Sequence, residues 1–98
     1  MSKHTPGPWN AEGPDWAGDF NIAPSSETAC VAAAVSNMRP AEEVSANARL
    51  ISAAPDLLDA LKRAAIDLTE KLEERGELAD SVTIALMHAA IAKAEGLS

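Results

Sequence analysis

Pro55 sits where two helical patterns meet, and it restricts the chain more than any other residue. Proline has no amide hydrogen and pushes the residue before it, here Ala54, out of the helical region. A helix running through Ile51 therefore ends about there, and a new one opens with Pro55 in its first turn. Beyond the proline, Leu58, Leu61, Ala65, Leu68 and Leu72 recur at alternating steps of three and four. That spacing lines them along one helix face, which needs a surface to pack against. Asp56 and Asp59 fall near the start of this helix and Lys71 and Arg75 near its end, the order that suits the helix dipole, and Gly76 supplies the stop.

Upstream of the junction the pattern is that of strands. The two prolines and the glycine of Thr5-Pro6-Gly7-Pro8 exclude a regular helix or an internal strand, so residues 1–8 read as an N-terminal arm ahead of a single domain over 9–98. Residues 9–12 read as a first strand and Gly13-Pro14-Asp15 as a turn. Residues 18–23 form a second strand, with Phe20 and Ile22 on one face and Asp19 and Asn21 on the other. After a turn at Pro24-Ser25-Ser26-Glu27, the small apolar run over 28–35 is read as a third strand, with Cys30 as a core residue. Pro40 with Glu42 and Glu43 makes a good first turn for a helix over 40–53. The expected architecture is α+β: a three-stranded antiparallel meander with helices across one face.

The last helix is expected from Asp80 or Ser81, as cap, to Glu95, with Gly96 after it. Between Ser81 and Ala92 there is no Asp, Glu, Lys or Arg. Such a helix is normally buried on nearly every side, and 98 residues offer little to bury it with. Homo-oligomerisation through the second and third helices is the expectation, with Ile84 and Ile91 among the side chains that assembly would bury. A formal charge of −7 opposes direct nucleic-acid binding. Eight acids against four bases over 56–80 make an acidic helix face. A single cysteine excludes an internal disulfide, and no stretch suits a signal peptide or a membrane span, so a cytoplasmic protein that avoids membranes is expected.

Catalytic and metal-binding patterns are missing. Cys30 has no second cysteine and His4 and His88 are far apart, so neither zinc spacing nor a Cys–His pair can be read, and there is no phosphate loop, nucleophile elbow or dinucleotide-binding glycine pattern. The chain reads as a non-enzyme without a cofactor, and His88 as a core or interface residue. Four residues suit a ligand: Trp9 and Trp16 for stacking, Asn47, and Arg49, whose guanidinium binds phosphate or carboxylate in bidentate fashion. The plainer readings stand beside these: core packing for Trp9, a backbone contact for Asn47, and a salt bridge from Arg49 to Glu42, Glu43 or Asp56.

His4-Thr5-Pro6-Gly7-Pro8-Trp9, together with Asn47-Ala48-Arg49-Leu50-Ile51 and Ala53-Ala54-Pro55-Asp56-Leu57-Leu58, resembles a widespread group of small proteins encoded by bacteriophages and prophages. That resemblance implies an accessory protein acting in the cytoplasm of an infected bacterium, and it implies no mechanism. In architecture alone, the expected sheet followed by oligomerising helices is similar to phage sponge proteins, which sequester cyclic-nucleotide signals of bacterial immunity. This likeness implies a small cyclic nucleotide held between subunits of a homo-oligomer, with an arginine and an aromatic ring facing it. Two other readings remain open: an acidic, anti-CRISPR-like inhibitor of a host defence complex, and a structural or regulatory phage protein without a ligand.

Overall fold

A computed structural model describes residues 4–78 and 81–96 of the chain. Three strands, β1 (Trp9–Glu12), β2 (Phe20–Pro24) and β3 (Ala32–Ala34), precede three helices, α1 (Ala41–Ser52), α2 (Ala54–Arg75) and α3 (Val82–Glu95). The fold is α+β, as the sequence implied. The chain groups into two compact units, Thr5–Asp56 and Leu57–Ser98, with His4 falling in the second and the division lying inside α2.

The first unit is an antiparallel meander of order β1-β2-β3 with α1 laid against all three strands. Trp9 pairs with Pro24, Ala11 with Ile22, Ile22 with Ala32, and Phe20 with Ala34. Strand side chains alternate between faces, so this register gathers Trp9, Ala11, Phe20, Ile22, Ala32 and Ala34 under the helix. On α1, Val44, Ala48 and Ile51 follow at steps of four and three and meet that face. Ile22, Ala34, Val44 and Ala48 are buried, and the small side chains of Ala34 and Ala48 let the helix settle close to the sheet. Burying Ile22 and Val44 contributes roughly 1.5–3 kcal/mol each.

The third strand is shorter than the run over 28–35 suggested. Residues 25–30 instead form turns and bends, because Val31 N–H bonds to Ile22 O at 2.8 Å and pairing starts only there. Cys30 is consequently exposed, correcting its expected place in the core. The arm is tied down at its visible part. Trp9 Nε1 donates to Thr5 O at 3.2 Å, and Ser25 N–H donates to Pro8 O at 3.0 Å. A Cβ added to Gly7 would stand 2.8 Å from Pro55 Cγ, so the glycine marks a close approach between the arm and the proline junction. Residues 1–3 of the expected arm lie outside the described residues.

The helical break falls one residue earlier than expected: Ala53 caps α1, and Ala54, expected outside the helical region, instead opens α2 with Pro55 in its first turn and buried. In the second unit, the α2 stripe behaves as its spacing predicts: Leu58 and Ala65 are buried and Leu61, Leu68 and Leu72 half-buried. Gly76, at φ 71°, follows α2. Ser81 caps α3 by accepting Ile84 N–H on its hydroxyl at 3.0 Å, and Gly96, at φ 75°, closes it. Asp80, the other candidate cap, lies outside the described residues. Lys62 Nζ reaches Glu95 Oε2 at 2.7 Å and ties α2 to α3. That hydrogen bond holds the Glu95 carboxyl below the ordinary carboxylate range. Among the described residues of α3 only Ile84 is buried, so the charge-free stretch up to Ala92 leaves much of its surface uncovered within the chain.

Candidate functional site

The first unit carries seven acids, Glu12, Asp15, Asp19, Glu27, Glu42, Glu43 and Asp56, against two bases, Arg39 and Arg49. Arg39 is neutralised by Glu43, Nη1 to Oε1 at 2.8 Å, a pair one helical turn apart at the start of α1. Arg49 is different. Its Nη1 donates to the Ser45 hydroxyl at 2.8 Å, and among the described residues it forms no ion pair. The expected salt bridge to Glu42, Glu43 or Asp56 is therefore not made. Ser45 lies four residues before Arg49, so the same helix face supplies the hydroxyl that steadies the guanidinium.

Arg49 lines a cleft of about 420 Å³ with Pro14, Phe20, Ala41, Glu42 and Ser45. Each wall has a local cause. Pro14 comes from the β1–β2 connection, where Asp15 Oδ1 accepts Ala17 N–H at 2.9 Å and Asp19 N–H at 3.0 Å and so folds the loop back on itself. Phe20 opens β2, half-buried against the core. Ala41 and Glu42 begin α1, whose N-terminal dipole end favours an anion, while the Glu42 carboxylate opposes one. Cation, aromatic ring and hydroxyl around an open volume suit a planar group bearing an acidic substituent.

Two other clefts have different chemistry. One of about 500 Å³ lies on the polar side of the sheet, where Asn10, Glu12, Asn21 and Glu27 offer acids and amides but no base. Another of about 490 Å³ between α2 and α3 is walled by Ile66, Ile91 and His88, with its Lys62 already engaged by Glu95. His88 is exposed there, which corrects its expected place in the core and leaves the expected interface between copies untouched.

The four residues singled out in the sequence fall in different settings. Arg49 borders the cleft just described. Trp9 packs against the core of the sheet unit with its indole N–H on Thr5. Trp16 is 98% exposed on the same β1–β2 connection that supplies Pro14. Asn47 is exposed on α1. Neither tryptophan nor Asn47 lines the Arg49 cleft, whose aromatic is Phe20. Sequence reasoning placed Phe20 on the core face and missed its edge at the cleft. Its neighbour there is 29 positions along the chain, and nothing local announces the pairing.

Among the described residues no group of His, Cys, Asp and Glu is arranged to hold a metal ion, and no helix is long and apolar enough to cross a membrane. No curated protein and no solved structure matches the chain. A family model does, and over residues 1–98: the chain belongs to the bacteriophage family described as Salmonella phage P22 protein Y8K6.

Proposed function

We propose that this phage-family protein is a counter-defence factor that binds and sequesters a nucleotide immune signal, working as a homo-oligomer in the cytoplasm of the infected cell. One observation carries the reading. In a unit with seven acids, the one guanidinium without a carboxylate partner stands at a cleft beside an aromatic ring. Arg49 takes the phosphate as a charge-assisted, bidentate donor and Phe20 takes the base by stacking. Ser45 holds the guanidinium in place. Beside Phe20 and Arg49 the cleft holds the Ser45 hydroxyl, engaged by Arg49, and the Glu42 carboxylate but, among the described residues, no histidine, cysteine or lysine, which supports a ligand held and released intact rather than consumed.

Calorimetry of the purified chain against cyclic mono-, di- and trinucleotides and cyclic ADP-ribose isomers tests this, with tryptophan fluorescence as a second readout. Arg49→Ala is expected to weaken binding by about 1.5–3 kcal/mol, as loss of a charged hydrogen bond does, which is about tenfold to a hundredfold in affinity. Phe20→Leu, which keeps an apolar side chain on the core, is expected to cost roughly 1–3 kcal/mol of stacking. A folded protein that gives no heat with any member of the panel rejects the reading.

A second reading, an acidic inhibitor that docks on a host defence protein, is favoured by a separate observation. Trp16 and Met38 are both fully exposed, on two loops that are hydrogen-bonded to one another, Ser36 N–H to Asp19 Oδ1 at 2.7 Å and Ser36 Oγ to Ala17 O at 2.9 Å. Met38 is held at φ 69°, a conformation that costs a side-chain-bearing residue roughly 1–2 kcal/mol. Rigidly presented tryptophan and methionine are favoured contacts at protein interfaces.

A further inference from the structure

The two sides of α3 are not equivalent. Ile84 is buried, His88 and Ile91 border the cleft shared with α2, and Glu95 pairs with Lys62, so the stripe 84-88-91-95 faces α2. Residues two apart on a helix point about 200° away from each other. Val82, Leu86, Ala89, Ala90 and Lys93 therefore form the opposite side, and Val82 and Leu86 are 71% and 66% exposed there. With the alanines, this makes a contiguous apolar strip on the order of a few hundred Å², within the range of a monomer's largest patch, which is often functional.

We propose that this outer side of α3 is where two copies of the chain meet, packed antiparallel, α3 against α3. Charge selects the partner. Each copy carries −7, and the other exposed helical surfaces are studded with acids, so like copies repel through them. The outer side of α3 has Lys93 as its single formal charge. A neutral face offers a foreign protein no charge to recognise, but it satisfies the two-fold, self-complementary contact of a homodimer. Charge also selects the direction. Parallel helices would set Lys93 beside its copy, whereas antiparallel helices carry the two lysines to opposite ends, about 16 Å apart along the axis and beyond the screening length of about 8 Å. Ala89 and Ala90, next along the same side after Leu86, let the helices approach closely. This contact stands whether or not Arg49 binds a nucleotide.

Light scattering at micromolar concentration is expected to give twice the chain mass of 10.2 kDa. Leu86→Glu is expected to give the single mass with an unchanged helical circular-dichroism spectrum, whereas Ile84→Glu, at a side chain buried within the chain, loses helix instead. In a Cys30→Ser background, Ala89→Cys near the centre of the contact joins to its copy with a short bismaleimide, and Val82→Cys, far from its copy in an antiparallel pair, does not. A wild-type mass of 10.2 kDa, or a Leu86→Glu chain that keeps the doubled mass, overturns the contact. Cross-linking of Val82→Cys to its copy, as parallel helices would allow, overturns its direction.

Discussion

Gly7→Ala adds a single methyl group, and the structure assigns it a cost. The new Cβ would lie 2.8 Å from Pro55 Cγ and 2.9 Å from Pro55 Cβ, closer than carbon atoms approach without displacement. Neither side yields easily. The Pro55 ring is rigid and buried in the first turn of α2, and the arm is pinned on either side of Gly7 by Trp9 Nε1 on Thr5 O and by Ser25 N–H on Pro8 O. Overpacking of this kind costs about 1–3 kcal/mol. Against it stands the smaller unfolded-state entropy of alanine, worth roughly 0.4–1 kcal/mol in favour of the variant. Overpacking wins, with a net loss of about 1–2 kcal/mol. For a domain of this size each kcal/mol lowers the melting temperature by about 4–8 °C. Urea denaturation of four proteins, wild type, Gly7→Ala, Pro55→Gly and the double variant, isolates the contact. With both Cβ and Cγ of residue 55 gone, Gly7→Ala is expected to be neutral or mildly stabilising. If the two substitutions add without coupling, the methyl is accommodated elsewhere and the arm does not press on the proline.

Two further outcomes are expected. Because Lys62 depresses the Glu95 pKa, the pair's contribution is complete above the ordinary carboxylate value of about 4.3 and is lost as pH falls through the lower folded value; Glu95→Gln should flatten that acid limb of thermal stability, and an unchanged limb would refute the coupling. Trp16→Ala, at a side chain 98% exposed, should leave stability within about 0.5 kcal/mol of wild type; if it also leaves inhibition of a host defence complex intact in an infection assay, the protein-docking reading fails.

What the sequence disclosed and what it withheld separate along the distance over which each feature is determined. The proline junction, the α2 stripe and the Ser81 cap depend on residues within a turn or two, and their spacing states them outright. The third strand depends on how far β2 extends to pair with it, and an alanine-valine run carries no mark of where pairing begins, so Cys30 was drawn into a strand it only precedes. Arg49 stood out by type, as an arginine in an alanine-rich helix. Its partner did not, because Phe20 meets it only once α1 has crossed the sheet. For α3, the missing charges told that its surface needs a cover, but not which side the chain covers itself. Ile84, expected among the side chains that assembly would bury, is buried within the chain, and the Lys62–Glu95 pair goes with a rotation of the helix that leaves Val82 and Leu86 exposed.

The same separation sorts the motif residues. His4 to Trp9 and residues 47–58 are distant in sequence, yet Gly7 abuts Pro55 and Trp9 shares a core with Ala48 and Ile51. Much of the paired motif is therefore a fastening of the arm and the sheet to the start of α2, and those positions have a structural use before any functional one. The residues of 47–51 that the fastening leaves over are Asn47, Arg49 and Leu50, all exposed on α1. Leu50 has no polar group to select a ligand, and Asn47 lines none of the three clefts described. Arg49 alone has both a cleft and a charge without a counter-ion. A side chain that the fold steadies with Ser45 but does not neutralise is the place where a ligand anion gains most, and that is why the binding experiments begin with Arg49 rather than with the more conspicuous tryptophans.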